Sequence, residues 1–172
     1  YMKKVTQNGT VASHERYLYR GYLQIAALDM LDNRDVLRTL LWDPLEPVAT
    51  RPLALAQGTS LYCYGVDFNK NVSEVFDAQG TIAAAYDYSP YGQAASTGDL
   101  VQPVQWSAEM HDDDLAQVYY NYRYYNPKDG RWINRDPIAE EGSWNLYGFV
   151  RNSLNVDNLG LIPPYNGPTT GT

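Results

Sequence analysis

Three times along this chain a run of strand-like residues ends in a residue followed by proline: at Leu41-Trp42-Asp43-Pro44, Asp87-Tyr88-Ser89-Pro90 and Tyr124-Tyr125-Asn126-Pro127. Proline fixes φ and has no N–H to give to a ladder, so each step closes a strand. The intervals fit a pair of hairpins, so the recurrence reads as an internal repeat, or as the ordinary punctuation of an antiparallel sheet. Either way the chain is expected to be all-β, an antiparallel sheet of serial hairpins with short helical segments near the C-terminus. Composition leans the same way: there are 16 Tyr against three Phe, and amphipathic tyrosine suits pleated, half-buried surfaces.

Taken in order, residues 14–19 alternate, Gly21 breaks them, residues 23–28 resume, and residues 36–42 return after the turn-rich residues 29–35. Residues 43–59 hold three prolines and little alternation, and read as an excursion or edge loop. Residues 61–66 and 72–76 form a hairpin. Asp77-Ala78-Gln79-Gly80 then suits a type I turn into residues 81–88. Residues 93–103 read as loop, and residues 104–110 and 116–125 as a hairpin. Along residues 117–125 the period of two puts Tyr119, Asn121, Arg123 and Tyr125 on one face.

Charge and special residues exclude several functions. A net charge of -7 argues against a phosphate-binding surface, so nucleic acid is not an expected partner. No apolar run reaches membrane-spanning length and no signal-peptide pattern is present; with Tyr1 first, the chain reads as a piece of a longer protein whose targeting information lies elsewhere. Cys63, alternating with Tyr62 and Tyr64, is expected to be a buried, inert thiol. His111-Asp112-Asp113-Asp114 are consecutive, so their side chains diverge and form a solvated turn instead of a metal site. His14 reads as an ordinary strand residue. No cofactor and no metal are expected.

Towards the C-terminus, Asp136-Pro137 suits a helix start, with Asp at the N-cap, Pro at the first helical position and Gly142 as the stop. Asn145 suits the cap of a second short helix carrying Leu146, Phe149 and Val150 on one face. Asp157-Asn158-Leu159-Gly160 fits another type I turn. Capping and turning thus account for both carboxylates; the spacing also leaves open that Arg123, Asp136 and Asp157 converge. Residues 162–172, IPPYNGPTTGT, read as a disordered tail or the start of a truncated linker.

Residues 122–161, YRYYNPKDGRWINRDPIAEEGSWNLYGFVRNSLNVDNLGL, closely resemble the C-terminal core of RHS/YD-repeat proteins, whose usual form is RYYDPxxGRWxxxDPI followed by NLYxYVxNxPxxxxDPxGL. Tyr86-Asp87-Tyr88-Ser89-Pro90-Tyr91-Gly92 resembles the YD-repeat signature YxYxPxG, and a looser likeness reaches back to about Tyr62. The resemblance favours the repeat reading. It implies a hairpin sheet over residues 1–103, an RHS-associated core over 104–161 and a tail over 162–172, in a secreted or bacterial cell-surface protein. In the C component of insecticidal toxin complexes, a relative of this family, that core seals a hollow β shell. It cuts its own chain after the Leu of DPxGL and frees a variable toxin, using an aspartic-protease-like pair of Asp with a nearby Arg. By motif position these are Asp136, Asp157 and Arg123, with the scissile bond between Leu161 and Ile162.

The chemistry the resemblance implies is self-consistent. Two carboxylates held close share a proton, so one acts as base and the other as acid; an arginine beside them keeps one ionised or stabilises the oxyanion. Extended chain would carry the bond roughly 13 Å from Asp157, so the turn ending at Gly160 must fold it back. The sequence departs from the family form at Leu154 and Asn158, which replace prolines of fixed φ. The implied partners are the rest of the repeat shell and a C-terminal effector or toxin, and the implied enzyme is at most a single-turnover self-cleaving aspartic protease. Two other readings stay open: a non-catalytic cell-surface module binding glycan or protein through tyrosine-rich faces, and a relic of a rearranged toxin gene.

Overall fold

The structure, a computed structural model, describes residues 1–45, 51–137 and 146–149. Nine strands form one antiparallel sheet in simple sequence order: β1 (Met2–Gln7), β2 (Thr10–Arg20), β3 (Leu23–Asp29), β4 (Val36–Trp42), β5 (Pro52–Gln57), β6 (Ser60–Val66), β7 (Val72–Phe76), β8 (Ile82–Tyr88) and β9 (Ala94–Gly98). A 3₁₀ turn at Trp106–Ala108 leads to a second antiparallel sheet of four strands, β10 (Met110–Asp112), β11 (Gln117–Tyr120), β12 (Arg123–Asn126) and β13 (Arg131–Trp132). Among the described residues no helix is long and apolar enough to cross a membrane.

One turn design recurs. Asp67, Asp77 and Ser89 each accept, through the backbone carbonyl, the N–H three residues on, and through a side-chain oxygen the N–H four residues on. The fourth position is left-handed each time: Lys70 at φ 65°, Gly80 at 81° and Gly92 at 84°. Asx and Ser turns of this kind satisfy the loop's own backbone, so each hairpin closes locally. The Gly92 turn also ties the sheets together, since a Cβ there would lie 2.5 Å from the Trp106 ring.

The core lies on one face of the long sheet, where Leu40, Trp42, Leu55, Val72, Val75, Ala84 and Tyr86 pack under Val104 and Ala108. A second cluster, Val118, Tyr120, Tyr125 and Trp132, packs with Trp106 and Phe149. On the opposite face of the long sheet Leu41, Ala54, Cys63, Phe76 and Ile82 stand in register across β4–β8. Cys63 is therefore exposed, not buried as expected: alternation places it on the outer face.

Several other expectations are corrected. Residues 43–59 are not all loop, because β5 pairs within the sheet between β4 and β6; its Pro52 stands at the strand's first residue, a place proline tolerates. Residues 93–103 contain β9, whose sequence Ala-Ala-Ser-Thr-Gly has no apolar alternation to announce it. Of residues 104–110 only Met110 belongs to a strand, as the start of the β10 that pairs with β11; Val104 bridges to it across the 3₁₀ turn of residues 106–108, where Ser107 stands at φ 54° and Ala108 at 55°. The single strand expected over residues 116–125 is two, broken at Asn121, whose φ is 28°. Of the second expected helix, the described residues 146–149 form a turn, and Gly148 bridges to Arg131. The first expected helix, from Pro137 to Gly142, lies mainly outside the described residues.

Candidate functional site

The break at Asn121 decides where Arg123 points. With β11 and β12 paired so that Tyr120 faces Arg123 and Val118 faces Tyr125, and with Tyr125 facing Trp132 on β13, Arg123 shares a face with Val118, Tyr120, Tyr125 and Trp132. Tyr119 and Tyr124 fall on the other face, where their rings meet at 5.1 Å. The uninterrupted strand expected from sequence put Tyr119 and Asn121 beside Arg123, and the turn reverses that assignment.

Arg123 is 2% exposed and Asp136 4%. Arg123 Nη1 lies 3.1 Å from Asp136 Oδ2, and the guanidinium carbon sits 4.0 Å from the centroid of the Trp132 ring. Residues 146–149 brace the pair: the N–H of Asp136 donates to the Leu146 carbonyl at 3.1 Å and that of Trp132 to the Tyr147 carbonyl at 3.0 Å. Phe149 closes the box, 4.1 Å from Tyr125 and 5.3 Å from Trp132 between ring centroids. Burial pushes the Tyr125 phenol well above its ordinary range, and its hydroxyl donates to the Tyr91 carbonyl at 2.8 Å.

Taking two charges out of water costs several kcal/mol each unless geometry and further hydrogen bonds offset it. This pair is therefore a built feature. A surface N-cap needs no such burial, so capping alone does not account for Asp136. Arg123 and Asp136 are brought together; Asp157, Leu161 and Ile162 lie outside the described residues. Sequence reasoning missed Trp132 and Phe149 as walls of the site. The available signal was the register of Trp132 opposite Tyr125, which shares a face with Arg123 whether or not the strand breaks at Asn121.

Between the two sheets lies a cleft of about 750 Å³ walled by Tyr17, Tyr19, Tyr119 and Tyr124. The acidic turn sits at this cleft: Lys3 Nζ lies 2.6 Å from both Asp112 Oδ1 and Asp114 Oδ2. Burial lowers the Lys3 pKa, but the two carboxylates outweigh it and the net shift is upward. His111 is pushed down, chiefly by burial. Asp112 is thus a tether between the sheets and not merely a solvated turn residue. Among the described residues no group of His, Cys, Asp or Glu is arranged to hold a metal ion.

No protein-family model matches the chain. Toxin subunit YenC1 of Yersinia entomophaga is 30% identical over 122 residues, covering 67% of this chain and 12% of that protein. Double-stranded DNA deaminase toxin A of Burkholderia cenocepacia is 33% identical over 121 residues, covering 58% of this chain and 8% of that protein. The chain thus spans a small part of the length of both relatives. A crystal structure of TcdB2-TccC3-Cdc42 matches with a TM-score of 0.72 at 20% identity over 93% of this chain and 8% of that one, a likeness of fold. With the two motifs, these toxin relatives and the serial-hairpin sheet taken together, the chain belongs to the RHS/YD-repeat proteins and carries their repeat-associated core.

Proposed function

We propose that this stretch is the C-terminal part of an RHS/YD-repeat shell, with residues 1–103 its repeat sheet and 104–161 its core, and that the core cuts its own chain once between Leu161 and Ile162. The observation that carries this reading is the Arg123–Asp136 pair, both side chains at most 1% exposed, inside an aromatic box. A carboxylate so enclosed, with a guanidinium on one oxygen, is the setting an aspartyl dyad needs: bulk solvent kept away, one charge countered, an electrophile at hand.

The step balances as a hydrolysis. A water oxygen attacks the Leu161 carbonyl carbon and gives a proton to Asp136. Arg123 stabilises the oxyanion. Asp157 then protonates the Ile162 nitrogen as the C–N bond breaks, leaving a carboxyl on Leu161 and an amine on Ile162. The roles of Asp157, Leu161 and Ile162 come from their motif positions. Because the substrate is tethered, a modest site suffices for one turnover. The freed segment, from Ile162 onward in the full parent protein, is a variable effector held by the shell, and the parent acts outside the producing cell or at its surface, in keeping with relatives named as toxins.

Intact mass of the purified full-length parent tests this. Wild type should split after Leu161, while Asp136→Asn and Asp157→Asn should each stay whole. Efficient cleavage in both variants overturns the assignment.

A further inference from the structure

We propose that Trp132 is the positioning residue of this site: its indole face sets where the Arg123 guanidinium lies, and so holds that guanidinium on Asp136. What the position is used for rests on the self-cleavage reading; the positioning itself rests on geometry. Tyr125 stands opposite Trp132, which leaves Arg123, two residues back on the same face, diagonal to the indole and within reach of a long side chain. The guanidinium carbon is 4.0 Å from the ring centroid. Trp gives the strongest such contact among the aromatic residues, and more so in the absence of water.

Stacking does more than attract. A guanidinium is planar and carries its N–H donors in its edge. Held over the indole with its central carbon 4.0 Å from the ring centroid, the guanidinium has its donors limited to few directions, and Nη1 meets Asp136 Oδ2 at 3.1 Å. The indole is itself fixed: Tyr120, Tyr125 and Phe149 meet it at 85°, 68° and 61° with centroids 5.1, 5.7 and 5.3 Å away. In so close a box the indole cannot tilt without moving three other rings. Its backbone is braced by the same segment that braces Asp136, through the Leu146 and Tyr147 carbonyls. Filling space alone does not account for the residue. The indole N–H finds no acceptor among the described residues, an unfavourable term that Phe or Leu at the same place would avoid.

The experiment uses the full-length parent carrying Trp132→Phe or Trp132→Leu, with wild type and Asp136→Asn as references. Crystal structures of both variants are read for the guanidinium position, and first-order cleavage is read by intact mass well below each variant's melting temperature. Phe keeps a weaker stack and should slow cleavage about threefold. Leu removes the stack; it should slow cleavage by about tenfold or more and release the guanidinium from Asp136. If Leu prevents folding, the Phe variant carries the test, its guanidinium shifted and its rate lowered. Guanidinium placement unchanged in every variant that folds overturns the proposal whatever the cleavage does, and so does cleavage at the wild-type rate. Uncut wild type instead overturns the self-cleavage reading, and the structures alone then decide the role of Trp132.

Discussion

Changing Asp136 to Asn removes one charge from a pair that has almost no access to water and leaves the Arg123 guanidinium enclosed against an indole. Breaking a buried pair from one side typically costs about 3–5 kcal/mol, whereas replacing both partners by groups of similar volume is often neutral. Asp136→Asn and Arg123→Met should therefore each destabilise the fold by about 3–5 kcal/mol, and the double variant by much less than their sum. Urea unfolding of the full-length parent and its variants reads the cycle. Strictly additive losses would mean that the two side chains act separately, and the enclosed charge pair would lose its claim to be the centre of the site. The measurement also separates stability from chemistry, since the proposed base is lost in Asp136→Asn and cleavage should stop even where the variant stays folded.

At the scale of elements, the recurring turn is the unit from which the long sheet is built. Asp77 Oδ1 accepts the N–H groups of Gln79 and Thr81 at 2.9 and 2.8 Å. Asp77→Ala leaves these solvent-facing donors to water and should cost about 1 kcal/mol, the range seen when a helix cap is removed; thermal unfolding of wild type and variant checks it, and a gain in melting temperature would count against the turn as a stabilising unit. This turn was legible in the sequence as Asp first and Gly fourth, and so were β2–β4 and β6–β8, whose alternation is strong. What stayed hidden has physical reasons. Pro52 argued against a strand, yet at a strand's first residue its missing N–H is tolerated. The small residues of β9 carry no pattern, and its Gly98 packs where a Cβ would meet the Ala83 carbonyl at 2.3 Å. Asn8-Gly9 was a plain hairpin signal for β1, with both residues at positive φ. Of the candidate site, motif position singled out Arg123 and Asp136, which the structure sets side by side; Trp132 was passed over although it stands opposite Tyr125, on the face of Arg123, while the left-handed turn at Asn121 moved Tyr119 off that face.

For the whole molecule, tyrosine joins the two sheets and sets how the fold responds to pH. Tyr1 meets Tyr19 on β2 and Tyr119 on β11 at 5.7 and 6.2 Å, and Tyr22 meets Tyr122 at 6.1 Å. Burial pushes Tyr19 from its ordinary 10.0 up to about 12, and drives Tyr17, Tyr64, Tyr88, Tyr119 and Tyr125 higher still. A phenol whose pKa is raised on folding keeps its proton in the native state where the unfolded chain has released it. Its contribution is thus complete below pH 10.0, and stability falls as pH rises through the window from 10.0 to about 12 for Tyr19 and onward for the rest. His111 sets the other flank: burial lowers its pKa below 6.5, so the unfolded chain binds a proton first and stability falls as pH drops below 6.5. Melting temperature should form a plateau between these limits, with the steeper decline on the alkaline side, where several phenols act together. Tyrosinate absorbance followed alongside circular dichroism checks the alkaline limb: the buried phenols should ionise in one cooperative step that coincides with loss of β signal. A gradual titration centred on the ordinary phenol range, with the β signal intact, would mean that the tyrosine seam between the sheets is open to water.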